Sequence, residues 1–315
     1  MQNLLIGLVG FVVLIAAMML VSRRFYSVIL NLDRRIIYAI VAILVLYPLI
    51  KPLALPMVPT PETRGIFDAL DALPEGSPVL IGADFDPASK AELQPMLDVA
   101  LAHCFERNLK PTILTLWEAG PRLVQGSVEK LAGRYNKVSG VDYVWLGYRP
   151  GTSAVILGTV SGMTTTYGAD FYNKPTGSMP YFANVKKLSD YKYLLDIAAG
   201  ATVEAWVIYG AENANVPMGA SCTAVSVAQY YTLLQAGQIT GLAGGMKGSA
   251  EYEKLVNDKY GSPDAASAEN LLGDATKGMD AQSMVHIFIV LSIIFANIAY
   301  FYSRRKPLAA AGRAA

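Results

Sequence analysis

Two carboxylates stand two residues apart where a short apolar run ends, in a GADFD segment whose acidic residues are Asp84 and Asp86. Pairs of this kind at the end of a buried strand hold Mg²⁺ or Mn²⁺ in metal-assisted phosphoryl and glycosyl transfer, because these cations take oxygen ligands. Asp86 also suits a structural role, since an acidic residue before Pro87 is typical of a helix N-cap with proline at the first helical position. Ser89 and Glu92 add a capping-box pattern directly behind it. Both roles stay open at this stage.

Further polar and aromatic side chains follow the other strand-like runs. Ligands of open parallel sheets bind beyond the carboxyl ends of the strands, so we expect these side chains to share one edge. Carboxylates, one arginine and aromatic rings together suit a divalent cation, a sugar or another small polar ligand. The candidate ligand-binding residues are Asp84, Asp86, Trp117, Glu118, Tyr148, Arg149 and Glu212.

Histidine and cysteine chemistry has little support. The chain has two histidines, of which His103 lies in a helix-like segment and His286 in an apolar stretch. A Ser-His-Asp arrangement and zinc sites built on His and Cys are therefore not predicted. Cys104 and Cys222 both lie in apolar surroundings, and we expect two free buried thiols rather than a disulfide. We predict no cofactor.

A glycine-rich run at 237–249 resembles a phosphate loop only superficially, because Met246 separates Gly245 from Lys247 where a Walker motif needs contiguous Gly-Lys-Ser. Glycines also occur where another backbone comes close, within the domain or from a second subunit. We predict a contact surface at Gly244 and Gly245, with a plain loop as the alternative. The irregular segment 162–182, rich in Tyr, Thr, Gly and Pro, is typical of a functional loop or a protein interface.

Strand-like and helix-like patterns alternate between residues 59 and 256. This alternation predicts an α/β domain with a mainly parallel, doubly wound sheet that carries helices on both faces. The predicted strands are 78–85, 111–117, 141–147 and 202–209, and the predicted helices are 88–108, 120–136, 189–199, 221–236 and 249–256.

Three apolar stretches with flanking arginines hold the share of charged residues to 16% of the 315-residue chain. A helix that crosses a bilayer needs about 20 such residues. We predict transmembrane helices at about 4–21 and 36–56, within the first 58 residues, and at 281–303. Asn297 in the third helix suits a hydrogen bond to a neighbouring helix, or one to its own backbone.

The basic residues predict the orientation in the membrane, because Lys and Arg collect in cytoplasmic loops. Arginines at 23–24 and 34–35 and the cluster 304–306 share one side only if the N-terminus is outside. The domain at 59–256 and the linker at 257–280 are then extracytoplasmic, and the tail 304–315 is cytoplasmic, which indicates a multi-pass protein of the cytoplasmic (inner) membrane. A cleaved signal peptide needs basic residues before its apolar run, and residues 1–3 carry none.

The net charge is +1 and no basic stripe is present, so nucleic acid is not a predicted partner. Residue types used in catalysis are sparse. The leading hypothesis is a non-enzymatic, membrane-anchored module whose outer domain assembles with copies of itself or with other membrane components. The alternative is an extracytoplasmic ligand-binding domain, or a metal-assisted transferase or hydrolase, that uses the strand-end carboxylates.

Overall fold

The computed structural model describes residues 33–53, 55–261 and 273–304. Residues 54–279 form one compact unit, and the residues before and after them form another. The predicted first transmembrane helix at 4–21, most of the basic loop after it, residues 262–272 of the predicted linker and the tail from 305 lie outside the described residues.

The larger unit is built on a six-stranded sheet in which every neighbouring pair is parallel. Along the sheet the strands follow the order β3-β2-β1-β4-β5-β6. β1 and β4 are therefore neighbours at the centre, where the strand order reverses. The bounds are β1 Pro78–Asp84, β2 Lys110–Thr115, β3 Val144–Tyr148, β4 Tyr193–Ala198, β5 Met218–Cys222 and β6 Leu242–Gly244. The α/β class and the mainly parallel sheet predicted from the sequence are confirmed.

Helices cover both faces of the sheet. One face carries α2 (Pro61–Asp71), α3 (Lys90–Glu106), α4 (Pro121–Arg134) and, late in the chain, α10 (Gly245–Tyr260). The other carries α5 (Thr152–Ser161), α6 (Met163–Thr166), the run of α7 (Thr202–Ala205), a π-helix (Trp206–Ala211) and α8 (Glu212–Ala214), and then α9 (Val227–Gln235). Each face has its own hydrophobic core. Because β1 is buried on both sides, its sequence is a continuous apolar run rather than an alternating one.

Two adjacent segments have the opposite structure to the predicted one. Residues 189–199 were predicted as a helix, but they contain β4, in which all six positions are buried. Residues 202–209 were predicted as a strand, but they are helical, and Val203, Trp206 and Val207 face the core at helical spacing. Short apolar runs do not distinguish a buried strand from a buried helix by their period, and the tertiary fold decides.

Smaller differences follow at the C-terminal end of the domain. The helix predicted at 221–236 begins only at Val227, after the end of β5 and a 3₁₀ turn at Ala224–Ser226. The glycine-rich run contains β6, and α10 begins at Gly245, ahead of the predicted start at 249. Helix α2, with proline at its first position, was not predicted from any pattern.

The smaller unit contains α1 (Arg34–Ile50), a 17-residue helix that covers 36–50 of the predicted second transmembrane helix and includes Pro48. Asp33 caps α1 by accepting a hydrogen bond from the Arg35 amide at 2.9 Å. The long helix α11 runs over Asp274–Arg304. Within the described part of the chain, one helix is long and apolar enough to cross a membrane, and it is Asp274–Ile298 of α11.

Candidate functional site

A cavity of about 400 Å³ lies at the carboxyl edge of the sheet, beyond the end of β3. The loop after β3, the first residue of α4 and the segment 167–173 form its walls. The side chains that matter for its chemistry are Tyr148, Arg149, Tyr167, Asp170, Phe171 and Asn173. This is the edge at which a parallel sheet binds its ligands.

The segment 167–173 is held against the outer strand β3. The Phe171 amide donates a hydrogen bond to the Trp145 carbonyl at 2.9 Å, which extends the pairing of the sheet by one residue. Gly147 in β3 has φ +79, and a Cβ there would lie 3.1 Å from the Phe171 ring. Glycine is therefore needed at 147 both for the left-handed backbone and for the close approach of Phe171.

One carboxylate oxygen of Asp170 accepts hydrogen bonds within its own turn, and the other accepts none. Its Oδ1 accepts hydrogen bonds from the amides of Tyr172 at 2.9 Å and Lys174 at 2.8 Å, which closes the turn. Its Oδ2 is buried and has no hydrogen-bond partner in the protein, and the residue is only 5% exposed. A buried polar atom without a partner costs about 1–3 kcal/mol, so a donor brought by a ligand would be stabilised here.

Arg149 and Tyr167 form the wall nearest to the sheet. The guanidinium carbon of Arg149 lies 5.9 Å from the centroid of the Tyr167 ring, within the range of a cation–π contact. Tyr167 is buried and its hydroxyl has no hydrogen-bond partner. Burial raises the pKa of this phenol, and the nearby charge of Asp84 raises it further. Tyr167 therefore connects the cavity with the centre of the sheet.

A pair of fully buried carboxyls, Asp84 and Asp196, lies at that centre, on adjacent strands β1 and β4. The Leu116 amide donates to Asp84 Oδ1 at 2.6 Å, while Asp84 Oδ2 and both oxygens of Asp196 accept from no donor group. Burial raises the pKa of Asp84 to about 6. Burial and the charge of Asp84 raise the pKa of Asp196 well above its ordinary value. Burial therefore favours the protonated forms of these two carboxyls more than those of exposed aspartates.

The surroundings of this pair leave no room for larger groups. A Cβ added to Gly82 would lie 2.5 Å from Asp196 Oδ1 and 3.2 Å from the indole nitrogen of Trp206. That indole nitrogen is itself buried without a partner. Among the residues that the structure describes, no group of three or more His, Cys, Asp or Glu side chains could hold a metal ion. The two carboxyls are therefore tightly enclosed on the side of Gly82.

Asp86 closes the turn ahead of α3 and is not the N-cap of that helix, which begins at Lys90 and not at Pro87. Its Oδ1 accepts from the Ser89 hydroxyl at 2.8 Å and from the Ser89 amide at 3.0 Å, and these bonds hold the pKa of Asp86 below its usual value. Ser89, the residue before α3, makes no capping hydrogen bond with its side chain. Glu92 instead accepts from the Ala224 amide at 2.8 Å, so the capping box does not form.

Four of the candidate residues lie at the carboxyl edge. Two of them, Trp117 and Glu118, come after β2, and the other two, Tyr148 and Arg149, are at the end of β3. Trp117 packs against the loop after β4, where a Cβ on Gly200 would come within 2.7 Å of its ring. Glu118 is exposed and takes no part in the cavity lining. The structure thus brings Tyr148 and Arg149 together with the segment 167–173, and leaves the other candidates beside the cavity.

Glu212 does not lie with the other candidates. Because residues 202–214 are helical, the chain runs from the carboxyl end of β4 back to the opposite edge, where β5 begins. Glu212 there accepts a hydrogen bond from Gln238 at 2.7 Å. The placement of Glu212 at the ligand edge, which followed from the predicted strand at 202–209, is wrong.

The predicted contact glycines meet their neighbours inside the domain. A Cβ on Gly244 would overlap a methyl group of Val227, and one on Gly245, which has φ +59, would lie 2.8 Å from the Ala224 Cβ. The close approach expected from the glycine-rich run is therefore present within the domain. In α11, the Asn297 side chain donates to the Ile293 carbonyl of its own helix at 2.9 Å. Cys104 and Cys222 are free and buried, as expected.

Three residues of the site were not predicted from the sequence. Asp196 was hidden because β4 was predicted as a helix, and its only signal was a charge inside an apolar run. Tyr167 and Asp170 lie in the irregular segment 162–182, which was singled out as a functional loop without named residues. An uncharged stretch from 150 to 169 that ends at Asp170 is the signal that could have drawn attention to that carboxylate.

The fold and the site define a doubly wound α/β domain with a ligand-sized cavity at its carboxyl edge, in a chain whose described residues include one helix long and apolar enough to span a membrane. No protein-family model, curated protein or solved structure matches the chain.

Proposed function

We propose that this protein is a membrane-anchored module whose α/β domain binds a small polar ligand in the carboxyl-edge cavity. The observation that carries the proposal is the cavity itself, about 400 Å³ in volume, because sites for small ligands measure about 300–1,000 Å³ and combine apolar walls with a few polar groups. The unpartnered buried oxygen of Asp170 among the lining residues supports it further.

The anchor in this proposal consists of three transmembrane helices with the domain on the extracytoplasmic side of the cytoplasmic membrane. Large apolar side chains of α1 and α11, such as Ile43, Leu46, Val290 and Ile293, are exposed, as is usual where lipid covers a helix. The arginines at the ends of the apolar stretches support the orientation.

A cavity-filling variant tests the binding function. A Cβ at Gly168, which lines the cavity, would meet no atom within 4 Å, so Gly168→Trp can place a large ring there without straining the backbone. A library of small polar metabolites is screened by thermal shift on the full-length protein in detergent. We expect at least one compound to stabilise the wild type, and Gly168→Trp to abolish its effect.

Gly177→Trp is the matched control, because Gly177 also has open space around its Cβ position and does not line the cavity. This variant should keep the ligand-induced shift. If no compound stabilises the wild type, or if both tryptophan variants respond as the wild type does, the binding function is refuted.

Self-assembly is the second candidate function, and an apolar surface supports it. Helix α5 has no charged residue and packs beside the π-helix, where Gly210 approaches Ile156. Leu157 is 45% exposed and Ile208 is 54% exposed. An uncharged surface can meet its own copy without like-charge repulsion, so a second copy of this chain fits it.

The mass of the detergent-solubilised particle, measured by light scattering, tests self-assembly. We expect Leu157→Glu to reduce the mass to that of one chain if the surface joins two copies. Val141→Glu, at an exposed valine elsewhere in the domain, is the control. A wild-type particle that is already monomeric at high concentration contradicts self-assembly and leaves ligand binding as the function.

A further inference from the structure

We infer that the ligand of the carboxyl-edge cavity is a small zwitterion, an α-amino acid. This inference rests on the proposed binding function and specifies its ligand class. It follows from the charges of the cavity lining, the free oxygen of Asp170 and the free guanidinium of Arg149.

The charges of the lining balance each other. Of the residues that line the cavity, Arg149 carries one positive charge and Asp170 one negative charge, and the others are neutral. A ligand with one charge of each sign can pair with both residues and leave no charge uncompensated. A purely cationic ligand would meet Arg149 as a like charge, and a purely anionic one would meet Asp170.

Asp170 is suited to hold the ammonium group. Its Oδ1 is already used by two backbone amides, so the turn is fixed before any ligand binds, whereas Oδ2 has no partner. The rings of Tyr148 and Phe171 line the same cavity, and aromatic faces attract alkylammonium groups. The site thus contains a carboxylate with one uncommitted oxygen, next to two aromatic residues.

Arg149 is suited to hold the acidic group. It is exposed, and it makes no ion pair with any residue in the described ranges. Its contact is with the Tyr167 ring, which limits the directions that the guanidinium can take. A planar guanidinium with free N–H groups binds a carboxylate through two parallel hydrogen bonds.

The test measures binding of the twenty standard L-amino acids to the full-length protein in detergent, by isothermal titration calorimetry. The best binder is then compared with its decarboxylated amine and its deaminated acid, which keep the same side chain and one charge each. We expect the amino acid to bind at least tenfold more tightly than either analogue, since a hydrogen bond to a charged group contributes about 1.5–3 kcal/mol.

Three variants assign the two contacts. Asp170→Asn keeps Oδ1 as the acceptor of the turn and replaces only the free Oδ2 by an amide nitrogen, and Arg149→Met removes the cation. Each of these two substitutions should weaken binding of the amino acid by about tenfold or more. Asp170→Asn should not weaken binding of the deaminated acid, and Arg149→Met should not weaken binding of the amine. Lys174→Met removes a nearby exposed cation outside the lining and should change nothing.

The failures of the inference and of the proposed function can be told apart. If none of the twenty amino acids binds, or if an analogue binds as tightly as its parent, the zwitterion is refuted. The binding function survives that result when another compound of the library stabilises the protein and Gly168→Trp abolishes the effect. If no compound of either set binds, both are refuted.

Discussion

Both ends of the sheet's carboxyl edge contain glycines, but the end beside β3 is open and the end beside β6 is tightly packed. Beside β3, Gly168 has open space around it, and Asp170 leaves an oxygen without a partner. Beside β6, Gly244 and Gly245 are closed in by Val227 and Ala224. The first end is a cavity, and the second is a packed interior.

This difference shows that glycine has two meanings in such a chain. At 244 and 245 it permits close packing of the domain's own elements, whereas at 168 it leaves space that nothing in the protein fills. The sequence presents the 237–249 run as the more conspicuous of the two. The structure favours the β3 end as the place where an external molecule binds.

Leucine substitutions should separate the two ends most strongly. Gly244→Leu forces a side chain onto Val227 and should lower the free energy of unfolding by about 3 kcal/mol, as overpacking does. Gly168→Leu should change it by less than about 0.5 kcal/mol, because its side chain extends into open space. Urea denaturation of the full-length protein measures both. Equal losses at the two positions would contradict the comparison.

The carboxyl pair between the two ends should produce the next largest effect. The ordinary pKa of Asp84 is 3.8, and burial raises it to about 6 in the folded protein. The folded state therefore binds more protons than the unfolded state between these values, and stability from this group falls as the pH rises through about 6. Asp84→Asn removes this loss and should be more stable than the wild type at pH 7.5, by about 3 kcal/mol.

The measurement is the difference between Asp84→Asn and the wild type in free energy of unfolding, from pH 4.5 to 7.5. Other groups also titrate: burial lowers the pKa of His103 to about 4, which makes acid destabilising and opposes the effect of Asp84. The difference between the two proteins removes that contribution. A difference that does not grow with pH would contradict the raised pKa of Asp84.

The last test compares how easily a thiol reagent reaches the packed interior and the open end of the edge. It should involve the smallest change in stability. Cys104 and Cys222 are fully buried, and burial raises the pKa of each thiol to about 12. We expect the native wild type to resist Ellman's reagent, and Gly168→Cys to react with one equivalent within minutes. Rapid reaction of the wild type would show that the packed part of the domain opens.

The sequence was sufficient for the α/β class because strands buried on both faces produce apolar runs that stand out between amphipathic helices. It failed where two apolar runs are adjacent. Tyr193–Ala198 and 202–209 are both short apolar runs, although the first is a strand and the second is helical. The first becomes a strand because β4 pairs with both β1 and β5.

The site could be predicted in part for the same reason. Tyr148 and Arg149 follow a correctly predicted strand, so their edge was predictable. Asp170 reaches the cavity through the bond between Phe171 and Trp145, a contact between distant parts of the chain that no local pattern encodes. Glu212 was misplaced because a helix in place of a strand carries the chain to the other edge.

The position of β1 at the centre of the sheet also has a consequence for the order of folding. β1 pairs with β2, which follows it after one helix, and with β4, which begins only at Tyr193. During synthesis one edge of β1 therefore stays unpaired until the chain beyond β4 has emerged. Such non-local parallel pairing is slow, and an open apolar strand edge can pair with another chain in the meantime. The β4-facing edge of β1 is thus open to pairing with another chain until β4 has emerged.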